Sequence, residues 1–165
     1  MNKWMFFCAL LCLGGCASHR CDTSTRYDEP SGDSLCRSAH LLYQNDMLQA
    51  KLMISAGGSD NSELAKALLE RAASQDRSGE AEFYQAVLLI RANSDNAEAI
   101  DLLEQAATRH HPLAIALLAQ QLASSDAKKA EQYRADYAYL DVAKSGYPSF
   151  EQALHVANGL ITPAL

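Results

Sequence analysis

The chain has 165 residues, of which 48% are hydrophobic, 21% charged and 7% aromatic, and its formal charge is −6. That is material for one modest domain, and the apolar content excludes a disordered chain. An acidic balance with no basic patch excludes phosphate-driven nucleic-acid binding, and the lack of alternating Val, Ile, Thr and Tyr stretches excludes a strand-rich sandwich.

The first segment reads as an address. Residues 1–16 are MNKWMFFCALLCLGGC, with Lys3 ahead of an apolar run from Trp4 to Leu13. A run of about ten residues is too short to span a hydrocarbon core of about 30 Å as a helix, but it suits a signal-peptide core. Leu13-Gly14-Gly15-Cys16 closes it, and this string resembles the bacterial lipobox. The resemblance implies cleavage before Cys16 and acylation of Cys16 on its sulfur and its new amino group. Two or more acyl chains hold a protein stably on a membrane, where one does not. Ala17 follows, rather than the Asp that marks inner-membrane retention in enteric-type bacteria. The implied location is therefore the periplasmic face of the outer membrane. The competing reading is a cleaved soluble protein, or an uncleaved anchor, with Cys16 as apolar filler like Cys8 and Cys12.

Three segments follow from this: a leader over 1–15, a lipidated Cys16 with a polar tether over 16–33, and a helical domain over 34–165. The tether contains Pro30 and Gly32 and shows no periodicity. As a flexible coil it spans roughly 20–25 Å, which keeps the domain near its membrane. Cys21 and Cys36 are the pair left over, and an oxidising compartment favours a disulfide between them. Unpaired thiols, or a Cys36 buried on the first helix, are the alternatives. No metal is expected, because there is no Cys-x-x-Cys and the five histidines lack ligand spacing.

From residue 34 onward the pattern is helical. A first helix over 34–56 is expected to turn Leu35, Ala39, Leu42, Leu48, Leu52 and Met53 to one side before Gly57-Gly58 ends it. Asp60 then reads as a cap with Glu63 reaching back, ahead of Leu64, Leu68 and Ala72 at spacing four. A third helix over 80–92 carries Phe83, Val87, Leu88 and Ile90. Asp95 with Glu98 repeats the cap, and Ile100, Leu103 and Ala107 follow on one stripe. Pro112 suits the first position of a fifth helix over 112–124. Asp126 caps a sixth, expected to run to Ser145. Ser149 opens a last one that Asn158-Gly159 closes.

Self-similarity organises these helices. Leu68-Leu69-Glu70-Arg71-Ala72-Ala73 matches Leu102-Leu103-Glu104-Gln105-Ala106-Ala107 at an offset of 34, and residues 107–112 align more weakly with 143–148 at an offset of 36. A period in the mid-thirties with two helices per unit predicts an all-α fold, a short α-solenoid of stacked antiparallel helix pairs. Over about 64–154 the pattern resembles the Sel1-like subclass of tetratricopeptide repeats, in the Asp-x-x-x-Ala opening of the second helix, its Ala-Ala finish and the alanine-rich first helix. Where that family has a left-handed Gly after the Ala-Ala finish, this chain has Asp76, His110 and Gly146. The resemblance implies a concave groove lined by the first helix of each pair, which would turn Glu82, Gln85, Gln120 and Gln121 towards a partner.

No catalytic motif accompanies the repeats. Arg109-His110-His111 reads as an exposed turn rather than an acid–base cluster, and Asp136 and Asp141 as solvated carboxylates rather than a pair. Tyr133 and Tyr137 share a helix face and suit the core better than a peptide surface. The apolar tail over 159–165 is expected to fold back rather than dock a partner. The function expected is a non-enzymatic scaffold or assembly factor for an envelope machine of the export, secretion or pilus type. It uses no cofactor, and its partners are a membrane, through the lipid, and envelope proteins. The alternatives are a pilotin-like chaperone of a secretin and a module that binds or processes cell-wall fragments.

Overall fold

Short helices joined by tight turns leave apolar stripes that only neighbouring helices can cover. The computed structural model describes residues 34–94, 96–141 and 146–162, except for the side chains of 34–36. Among the described residues there are seven helices: α1 Ser34–Ala56, α2 Ser59–Ala73, α3 Glu80–Arg91, α4 Asn96–Thr108, α5 Pro112–Leu122, α6 Ala127–Tyr137 and α7 Phe150–Ile161. The leader, Cys16, Cys21, the tether and the Cys36 side chain lie outside them, as do Asp95, where a cap was expected, and the final three residues.

α1 with α2, α3 with α4 and α5 with α6 pack as sequential antiparallel pairs, joined by α2 against α3 and α4 against α5. α7 lies on α5 and reaches α3. The two repeat copies put equivalent residues in the core: Leu69 and Leu103 are fully buried, as are Ala72 and Ala106. α5, with the sequence PLAIALLAQQL, is buried from Leu113 to Ala119 on every side, because α4, α6 and α7 surround it. A helix apolar all round belongs at a centre.

The inward stripe of α1 differs from the expected one. Met47, Ala50 and Ile54 are buried together with Asp46, and Tyr43 and Met53 are partly buried, whereas Leu42, Leu48 and Leu52 are exposed. Asp46 explains the difference. Its carboxylate receives both the Nε and the Nη2 of Arg71 in a bidentate pair, so a charged residue occupies a core position that hydropathy assigns to solvent.

Other boundaries also move. α2 starts at Ser59 after Gly58, with Asp60 inside its first turn and no side-chain cap, so the expected cap at Asp60 is absent. α6 ends at Tyr137 rather than Ser145, and the phenol of Tyr137 donates to the carbonyl of Tyr147 at 3.0 Å, closing the connection to α7. α7 runs through Asn158-Gly159 to Ile161, and Leu160 and Ile161 pack against the core. Two N-caps and one N1 proline stand as expected: Asp126 accepts from Lys129 N, Ser149 accepts from Gln152 N, and Pro112 opens α5. The cap before Pro112 is His111, half-buried where an exposed turn was expected.

α3 and α4 end alike. Asn93 (φ 48°) and His110 (φ 61°) are left-handed, and each is the pivot of a Schellman turn. In the second of these, His111 N donates to Ala106 O and His110 N to Ala107 O. After α2 the left-handed residue is Gly79 (φ 78°) instead of Asp76. A Cβ on Gly79 would stand 2.7 Å from Ala106 Cα, so this glycine lets α4 approach the start of α3.

Candidate interaction cleft

The even-to-odd turns gather along one edge of the stack, and their side chains are fixed from beneath. Asp76 is buried there and replaces a left-handed pivot with a hydrogen-bond hub. Its Oδ1 accepts from Ser78 N, Ser78 Oγ and the Tyr43 phenol, and its Oδ2 accepts from Ala81 N at 2.8 Å. Burial pushes this carboxyl up, but those donors together hold it below the usual carboxylate range. Burial and the nearby Asp76 charge raise the Tyr43 phenol well above its ordinary value. The hub ties α1 to the start of α3.

Beside it, Lys51 Nζ pairs with Glu80 and lies 5.5 Å from the centre of the Tyr84 ring. Glu82, one turn face away, is 5% exposed and bound to Arg109 Nη1, with its Oε2 lacking a hydrogen-bond partner among the described residues. His111 stacks on Phe83 with ring centres 4.9 Å apart, and its Nδ1 accepts from Ala114 N. The ring proton is therefore assigned to Nε2. Burial lowers the imidazole pKa to about 4, and Lys51 adds to this while Asp76 opposes it, so the ring is neutral at neutral pH.

Of these groups Ser78, Glu80 and His111 border a cleft of about 540 Å³ between the starts of α3 and α5 and the connection that leads to α7. Asp76, Lys51 and Glu82 support it from outside its lining. Tyr84 and Tyr147 line it with Arg109, His110, His111 and Asp141. Burial and the Glu80 charge push the Tyr84 phenol up to about 12, so the hydroxyl stays protonated as a donor. A second cleft of about 400 Å³ adjoins the first, sharing His110 and Leu140, and is lined also by Glu104, Tyr133, Asp136 and Tyr139. Tyr139 is 89% exposed. Glu104 is held by Lys129. Paired charges, aromatic faces and neutral donors suit a polypeptide segment better than a compact anion.

The residues expected to face a partner are not gathered here. Glu82 requires correction: it is buried and ion-paired inside the stack, because Arg109 reaches over it from the α4–α5 turn. Gln120 is exposed, Gln85 and Gln121 are half-buried, and none of the four lines either cleft. Asp136 and Asp141 line different clefts. Tyr137 is buried and Tyr133 packs against the core. Sequence reasoning missed Tyr84, Tyr147 and the Asp76 hub. The available signal for the last was Asp-x-Ser two residues before Glu80, a local capping pattern.

Among the described residues, no group of three or more His, Cys, Asp or Glu side chains is placed to hold a metal, and no helix is long and apolar enough to cross a membrane. No protein-family model matches the chain, and neither a curated protein nor a solved structure was found to be similar to it. The structure shows an all-helical domain of sequential antiparallel pairs.

Proposed function

We propose that this chain is a lipid-anchored scaffold of the bacterial outer membrane, and that its edge cleft takes up a segment of an envelope protein. The observation that carries the reading is the pair of adjoining clefts, with Tyr84, Tyr147 and Tyr139 presented where the second and third helix pairs meet the approach to α7. Aromatic side chains with apolar bodies and polar tips are the groups that interfaces enrich. The sequence Leu13-Gly14-Gly15-Cys16 supports the anchor, and the mid-thirties repeat supports kinship with Sel1-like proteins, which display helix pairs for protein recognition. Lipid at Cys16, about twenty ångströms of tether and a groove would act together by raising the local concentration of a partner at one membrane.

Photo-crosslinking from positions 84 and 147 in living cells tests this reading. A discrete envelope protein should be captured from both positions and not from position 98, on the exposed start of α4. Cys16→Ser should shift the chain and its captured partner out of the outer-membrane fraction. Capture of nothing but glycan or muropeptide would transfer the reading to a cell-wall module. A secretin as the captured protein, mislocalised with Cys16→Ser, would make the chain its pilotin.

A further inference from the structure

We propose that the outer face of α1 is a contact between two copies of this chain, packed parallel and in register about Asn45. This inference stands apart from the anchor and the cleft. Leu41, Leu48 and Leu52 are 58%, 59% and 62% exposed, and Leu42 beside them is 42% exposed. With exposed Asn45 they recur at spacings of four, three and four, the alternation of a coiled-coil seam in which Leu41 and Leu48 take d positions and Asn45 and Leu52 take a positions. The core-facing residues Met47, Ala50 and Ile54 lie about half a turn around the helix from this seam. The rest of the domain therefore stands behind α1, and the seam is open along its length.

Two features select a second copy as the occupant. From Leu41 to Ala56 the only charged residues are Asp46 and Lys51, the first buried on Arg71 and the second paired with Glu80. The seam thus offers a charged partner nothing to recognise, and it does not repel its own image across a two-fold axis. Asn45 carries donors and an acceptor in one amide, and its Oδ1 accepts from Gln49 Nε2 at 3.0 Å. An amide at an a position is satisfied by an identical amide opposite, which is how a single Asn fixes register and two-strandedness. An antiparallel seam centred on these residues would set Asn45 against Leu48 of the second copy and Leu41 against Leu52, burying the amide on an alkyl group. The parallel arrangement avoids this. Four exposed leucines are a small apolar surface for an association, so the dimer is expected to form in a concentration-dependent way.

The test is sedimentation equilibrium of the full chain in a non-ionic detergent, at concentrations rising to about 0.1 mM, where low-end interfaces are populated. The expected result is a monomer–dimer equilibrium. Leu48→Asp should leave only monomer, with the helical circular dichroism unchanged and the thermal midpoint equal to that of the dilute, monomeric wild type, because Leu48 is exposed in the single chain. Asn45→Leu should still associate but pass beyond the dimer. Asn45→Cys, in a chain whose five own cysteines are changed to serine, should crosslink to itself under mild oxidation. A wild-type chain that stays monomeric, as it would if residues 1–33 covered the seam, overturns the proposal. So does a dimer that survives Leu48→Asp, or an Asn45→Cys chain that forms no crosslink.

Discussion

Asp46 and Arg71 are unequal partners, and the inequality decides what their loss does. The carboxylate is 1% exposed while the guanidinium is largely in solvent. Its bonds to Asp46 raise the already high pKa of Arg71. Removing the arginine strands a buried charge, whereas removing the aspartate strands nothing. Arg71→Ala is therefore expected to lower the urea midpoint more than Asp46→Leu, which only swaps a paired charge for apolar volume. The reverse order in urea titrations of the two variants would mean that the pair, rather than the desolvated carboxylate, carries the effect.

His111 gives the fold a pH dependence of predictable sign. Its pKa is about 4 in the folded chain against an ordinary 6.5. As pH falls through 6.5 the unfolded chain takes up a proton that the folded chain refuses until about pH 4. Stability contributed by the neutral ring is therefore intact above pH 6.5 and declines towards pH 4, by roughly 3 kcal/mol at the most. His111→Asn keeps an acceptor for Ala114 N and removes the titration. Its unfolding free energy should start lower, for want of the stack on Phe83, and should change less than the wild type between these pH values. Parallel pH profiles for the two proteins would show that the ring is not what titrates.

At the scale of elements, the turns separate backbone cost from packing cost. His110 sits at φ 61° at the end of α4, where Gly is the unstrained choice. His110→Gly is expected to stabilise by roughly 0.5–1 kcal/mol, the relief of the left-handed conformation less the added freedom of the unfolded chain. Gly79→Ala goes the other way: besides its left-handed backbone, the new methyl would meet the backbone of Ala106, and a loss of about 3 kcal/mol or more is expected. Gly146→Ala, with open space around it, should cost only about 1 kcal/mol. Thermal midpoints of the three variants rank these effects.

Helix order and the repeat were legible because they rest on local signals. Pro112, Asp126 and Ser149 open helices where sequence grammar puts helix starts, and the Leu-Leu-x-x-Ala-Ala copies bury their second leucine and first alanine alike. His110 in the left-handed place was readable from its offset to Gly146. The α1 face was not legible, because its buried aspartate is stabilised by an arginine 25 residues away and its leucines face outwards. Nor was the end of α6, where a run of tight turn bonds from Ala138 to Leu140 closes the helix with no Gly or Pro to announce it, and Tyr137 bonds to Tyr147 across the connection. The cleft depends on side chains from α3, the α4–α5 turn and the approach to α7 meeting at one edge. No periodicity within a single helix encodes that meeting.

At the scale of the whole molecule, a stack held by nearest neighbours should lose its ends before its middle. α5 is covered by α4, α6 and α7, whereas α1 is covered chiefly by α2. The first pair is fastened to the rest by α2 against α3, by the Tyr43–Asp76 and Lys51–Glu80 contacts, and by Arg91 Nη1 donating to Ile54 O. Amide hydrogen exchange should therefore be slowest in α5 and faster in α1, with α3 and α4 between them. Ile54→Ala removes buried volume from the first pair at a typical cost of about 2–5 kcal/mol. It should speed exchange in α1 and α2 while leaving α5 near its wild-type rate, because its cost falls on the opening of the first pair alone. Equal acceleration in α1 and α5 would instead make the seven helices one cooperative unit. In that case the cleft could not be tuned apart from the first pair. A graded response would mean that the edge formed by α3, α5 and the approach to α7 keeps its shape while α1 opens, since every residue named as lining the cleft lies C-terminal to α2.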